Sequence, residues 1–102
     1  MEKPRAYTEE EVIEMMMGHV RNLVNYWDGL GKSKKETLEG LVFSIFTMLD
    51  GSGDLPTIDL VLKPHSTDRK YHISKGANYF KSNMRISTTL HEDYCIYMKK
   101  HP

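Results

Sequence analysis

Two capping boxes set the frame within which this chain can fold. Thr8 is followed three residues later by Glu11, and Ser33 by Glu36. In such a pair the hydroxyl accepts from an N–H that a helix start leaves unpaired, and the glutamate reaches back to the cap's own N–H. Behind the first box, apolar residues recur at Val12, Ile13, Met16, Met17, Val20, Leu23, Val24 and Trp27, the period of an amphipathic helix. Tyr7 and Val12 occupy the positions of a hydrophobic staple. Glu9, Glu10 and Glu11 suit the positive end of the helix dipole, and Asp28-Gly29-Leu30-Gly31 stops the run. Behind the second box, Leu38, Leu41, Val42, Ile45, Met48 and Leu49 form a stripe that Phe43 and Phe46 widen, with Gly51 placed to end the helix. The short connection between the two runs predicts an antiparallel helix hairpin.

After Asp50-Gly51-Ser52-Gly53-Asp54 the period changes. Ile58, Leu60 and Leu62 alternate, which predicts a strand over about 57–62. A strand needs a partner, here from 70–74, from 84–87 or from another subunit. Residues 63–83 are polar, contain Pro64 and Gly76, and read as mostly irregular. Leu90, Tyr94, Tyr97 and Met98 then predict a C-terminal helix, capped by Ser87 or Thr88 and ending on Lys99 and Lys100. The expected fold is a mainly helical α+β single domain over residues 1–102. Its parts are the two-helix hairpin, a short strand or β-hairpin, and the C-terminal helix. Leu, Ile, Val and Phe together number 23 of 102 residues, enough for one modest core. No apolar run approaches the roughly 18 residues of a membrane span. Met-Glu-Lys-Pro-Arg opens no signal peptide, and the single cysteine, Cys95, fits a reducing compartment. The expectation is a cytoplasmic protein without a membrane partner.

Lys plus Arg and Asp plus Glu both number 14, so net charge gives no pull toward nucleic acid or membrane. The balance hides an asymmetry. Residues 1–62 carry 6 basic and 11 acidic side chains, and residues 63–102 carry 8 basic and 3 acidic. Either the halves pair within the chain, or a basic face stays free for an acidic partner. The basic segment holds Lys63, Arg69, Lys70, Lys75, Lys81 and Arg85, interleaved with His65, Tyr71, His72, Tyr79 and Phe80. Cations neutralise phosphates and aromatic faces stack on bases, so Lys63, Arg69, Lys70, Tyr71, Lys75, Tyr79, Lys81 and Arg85 are candidates for an anionic ligand, a nucleotide or a nucleic acid.

Other motifs are incomplete. Asp50–Asp54 places oxygen side chains at the first, third and fifth positions of a calcium loop, but Leu55 and Val61 stand where a glycine and a bidentate glutamate belong. His91 and Cys95 lie one helical turn apart, a spacing that suits two ligands of one metal, yet no third ligand follows from spacing. Cys95 as a nucleophile would need a base and oxyanion donors, of which only His91 is in view. Neither a catalytic set nor a cofactor site is complete. Met15, Met16 and Met17 span about 200° of a helix, so at least one must face outward. Thioethers suit adaptable contacts, which makes Met15, Met16 and Trp27 a candidate interaction surface.

The block from Leu38 through Met48-Leu49-Asp50-Gly51, with Leu55-Pro56, Asp59-Leu60, Pro64-His65, Tyr71-His72 and Leu90-His91-Glu92, resembles small bacterial and phage-borne domains that have no assigned activity. The resemblance spans residues 36–94 and implies a small accessory protein, with no functional residues to carry over. The leading expectation is therefore a non-catalytic interaction or regulatory module that pairs with itself or with another protein. Nucleotide or nucleic-acid binding through 63–85 comes second, and a metal-dependent activity at His91 and Cys95 third.

Overall fold

The computed structural model describes residues 3–51, 54–86 and 89–102. Within them the order is α1 (Glu9–Asp28), α2 (Lys34–Leu49), β1 (Leu60–Val61), α3 (Asp68–Ser74), β2 (Arg85–Ile86) and α4 (Leu90–Lys100). The protein is thus mainly helical with a small antiparallel sheet.

The first capping box closes fully. Thr8 Oγ1 accepts from the Glu11 N–H at 3.2 Å, and the Glu11 carboxylate accepts from the Thr8 N–H at 2.9 Å. Arg5 grips the same carboxylate through two bonds of 2.7 and 3.0 Å. That grip, with the Thr8 amide, lowers the Glu11 pKa to about 2. Tyr7 stays exposed. The second box is only half made: Ser33 Oγ accepts from the Glu36 N–H, but its own hydroxyl donates to the Glu36 carboxylate at 2.9 Å.

Near the C-terminal end of α1, Trp27 Nε1–H donates to Ser44 Oγ of α2 at 2.9 Å. Met15 and Met16, a few turns earlier, pack against the cluster around Met48. The two helices therefore run in opposite directions. Gly40 makes the crossing possible, because a Cβ there would fall inside the contact distance of the Trp27 six-membered ring. The buried core is Met48, Leu49 and Leu55, with Val20, Ile45, Phe46, Ile58 and Leu90 half-buried around it.

The chain then doubles back. Gly51 adopts φ +91°, where a Cβ would also strike Thr57, and the Ile58 N–H donates to the Leu49 carbonyl at 2.8 Å. Strand pairing is shorter than the 57–62 alternation suggests. Only Leu60 and Val61 pair, antiparallel to Ile86 and Arg85. Of the three possible partners, the 84–87 segment is the one used. Bonds between Leu62 and Met84 and between Asn83 and Leu62 continue the ladder. The interval expected to be irregular contains α3. Asp68 accepts from the His65 N–H ahead of the helix, and Gly76, at φ +69°, ends it with its N–H on the Ile73 carbonyl. The expected caps of the last helix, Ser87 and Thr88, lie outside the described residues.

Among the described elements, α1 packs on α2, α2 on α4, and β1 on β2, while α3 packs on none. Residues 60–86 form an arm beside a single layer of three helices. The radius of gyration is 18.1 Å and the thinnest dimension 18 Å, whereas a compact domain of this length has a radius near 13 Å. Gly40→Ala tests the helix crossing. Alanine is intrinsically better in a helix by about 1 kcal/mol, so a net loss of thermal stability with a shifted Trp27 emission is the outcome expected from the close approach. An increase in stability would disprove it.

Candidate functional site

Three places hold chemistry-bearing side chains. The first is the junction of α2 and α4. Asp50 is the C-terminal cap residue of α2, and its carboxylate is 3% exposed. It accepts from the Leu90 N–H at 3.1 Å, from the His91 N–H at 2.9 Å and from His91 Nδ1. Asp50 thereby caps α4 from 40 residues away, where Thr89 makes no side-chain cap. Burial alone would raise the Asp50 pKa. The hydrogen bonds from His91 and Leu90, with the His91 charge, outweigh it and lower the pKa below the ordinary carboxylate value.

An ionised carboxylate only accepts, so His91 Nδ1 carries a proton. In the neutral ring Nε2 then has the lone pair, the orientation of a general base. It faces the Glu92 carboxylate at 4.0 Å, and the His91 ring stands edge-on to Phe43. No hydroxyl or thiol is hydrogen-bonded to it among the described residues. Cys95 lies instead in an open groove of about 350 Å³ with Trp27, Gly40, Phe43 and Met98. No group of three His, Cys, Asp or Glu side chains among the described residues could hold a metal, so His91 and Cys95 gain no third ligand from the fold. The geometry at Asp50 and His91 is that of a helix cap.

The second place is the helical layer. Met15 and Met16 pack toward the core, Met17 is 59% exposed, and Trp27 is half-buried between α1 and α2. The outward methionine that the run of three requires is thus Met17. Leu38 and Val42, one turn apart on α2, are exposed, as are Ile13, Ile96 and Tyr97.

The third place is the arm. Among the described residues none of its six cations pairs with an acid of α1 or α2. The one ion pair it makes, Arg85 with Asp59 at 3.6 Å, is local. Of its eight candidate residues, three line one cavity and others have local partners. Lys63 is bonded to Asn83 at 2.8 Å, and Lys75 sits over Tyr71. Arg69 lies over Tyr79, 5.0 Å from its ring centre, and these two, with Lys81, line a cavity of about 440 Å³. Sequence reasoning named His65 and Phe80 in the segment without counting them among the ligand candidates, and missed Ser66 and Ser82, although the turn before Asp68 and the stop at Gly76 were there to mark the short helix.

No helix among the described residues is long and apolar enough to cross a membrane. Comparison with family models, with curated proteins and with solved structures finds no match.

Asp50 carries a pH dependence with a definite sign. Its folded pKa is depressed, so its contribution is present above the ordinary carboxylate pKa and is lost as pH falls through the folded value. Asp50→Asn should destabilise the fold by about 1–3 kcal/mol at neutral pH. Denaturant unfolding of the two proteins should converge as the pH is taken down through the acid range. A gap that does not narrow would rule out the carboxylate as its source.

Proposed function

We propose that this chain is a non-catalytic interaction module that pairs with a second copy of itself through its helical layer. The observation that carries the reading is the size of the core. Among the described residues three side chains are buried, while Ile13, Met17, Leu38, Val42, Ile96 and Tyr97 stand exposed on the three helices. A helix layer buries its apolar stripes against another layer, and stable domains contain at least two. No element among the described residues supplies the second one, since the arm's elements pack on no helix. A second copy brings a layer with the same apolar excess, and the zero net charge opposes such pairing with no overall repulsion. The open groove beside Trp27, flanked by Lys32, Glu36 and Glu39, has the apolar floor and charged rim of an interface.

Native mass spectrometry and sedimentation of the untagged protein test this directly. The expected result is a dimer or larger closed assembly, with a melting temperature that rises with protein concentration. Met17→Glu and Leu38→Glu replace exposed side chains, so each should shift the mass toward the monomer while leaving the helical circular dichroism in place. A monomer with concentration-independent unfolding, or two variants of unchanged mass, would overturn the reading.

A further inference from the structure

The cavity of the arm is a second, separate surface, and its chemistry is specific. Its walls come from the turn before α3, from α3 itself and from the stretch leading to β2: Pro64, His65, Ser66 and Arg69 on one side, Tyr79, Phe80, Lys81 and Ser82 on the other. Arg69 is held by stacking on Tyr79, an arrangement that leaves its guanidinium N–H groups without an acceptor among the described residues. Lys81 has no anionic partner there either. The one acid of the segment, Asp68, is occupied in accepting from the His65 N–H at 3.1 Å. The Thr67 N–H donates to His65 Nδ1 at 3.3 Å, so in the neutral ring the proton sits on Nε2, which remains a donor. Phe80 is 69% exposed and Tyr79 43%. The cavity therefore combines two cations without an anionic partner among the described residues, an imidazole donor and two serine hydroxyls with two exposed aromatic side chains.

From this we infer that residues 64–82 form a cradle for a nucleotide unit, in which Arg69 and Lys81 hold a phosphate and Tyr79, on the ring face that Arg69 leaves open, stacks on the base. Phosphate oxygens want fixed cationic donors, and guanidinium offers them in a planar fork. A base has a π face whatever its identity, so stacking tolerates any sequence. The same unit occurs free, as a mononucleotide, and within a single strand. The cradle is distinct from the self-pairing surface: it lies on the arm, and its test does not depend on the oligomeric state.

Binding is measured by fluorescence anisotropy with a short labelled oligodeoxythymidine, and with AMP and inorganic phosphate as competitors. Three variants decide it. Arg69→Ala/Lys81→Ala removes both contacts to the one phosphate and should flatten the slope of log affinity against log salt by about 0.7. Tyr79→Leu should weaken binding by about 5-fold or more. Lys70→Ala/Lys75→Ala removes the same charge from side chains that do not line the cavity and should change affinity less than about 3-fold at physiological salt, where exposed charges without direct contact are screened. Circular dichroism confirms that each variant is folded, and Tyr79→Leu, which changes no charge, serves should the Arg69 and Lys81 pair fail that check. Competition by AMP at an affinity comparable to the strand supports a free nucleotide as ligand, and binding of the strand alone supports single-stranded nucleic acid. Equal losses from the two double variants, an unaffected Tyr79→Leu, competition by phosphate as strong as by AMP, or no binding at all would each overturn the cradle.

Discussion

The seating of α4 at the end of α2 depends on one buried carboxylate. Asp50 ends α2 and begins α4, and its side chain is 3% exposed. Taking a carboxylate out of water costs several kcal/mol unless each lone pair finds a donor. Here Leu90 and His91 supply two backbone N–H groups and one ring nitrogen. The N-terminal half-charge of α4 adds a favourable field at the same place. Remove this contact and α4 is left with its side-chain packing, in which Leu90 lies on the core, Tyr94 on Phe46 and the His91 ring on Phe43. Its start would then carry unpaired amides beside the core.

What could be read from the sequence divides by distance along the chain. The starts of α1 and α2 were legible because the whole signal, cap and glutamate, lies within four residues. So was the end at Gly51, where a left-handed backbone demands glycine. The partner of β1 was narrowed to three segments but not chosen, because a two-residue ladder carries too little side-chain pattern to fix its register. The cap of α4 was sought at Ser87 and Thr88, whereas the described contact comes from Asp50, in a turn that local reasoning could recognise only as a stop and a failed calcium loop. Long-range hydrogen bonds of this kind leave no spacing to read. The interaction residues show the same division. The angular spread of Met15, Met16 and Met17 required one outward side chain, but which one depended on where α2 packed. The eight arm candidates were legible as a composition, and only the fold separates Arg69, Tyr79 and Lys81 in the cavity from Lys63 and Arg85, which are tied to Asn83 and Asp59.

The charge asymmetry has a structural counterpart. Acidic residues concentrate on the helices and basic ones on an arm that packs on none of them. Had the two halves folded against each other, surface ion pairs would have contributed at most about 1 kcal/mol each, too little to fix a geometry. The two-strand ladder and the Gly51 turn hold the arm instead through backbone bonds, and Arg69, Lys70, Lys75 and Lys81 have no acidic partner among the described residues.

Self-pairing and nucleotide binding would reinforce each other without sharing a residue. A cradle open to solvent holds a single nucleotide weakly, because a few exposed contacts must offset the lost freedom of the ligand. Two copies joined through their helical layers carry two arms at a fixed separation. A strand long enough to reach both converts its second contact into an intramolecular one, and the gain depends on whether the strand spans that separation. Affinity should therefore climb with oligonucleotide length in a step, and only for the paired protein. A monomeric Met17→Glu or Leu38→Glu variant would keep the short-strand affinity and lose the step. Simple addition of phosphate contacts would instead raise affinity smoothly with length in both proteins.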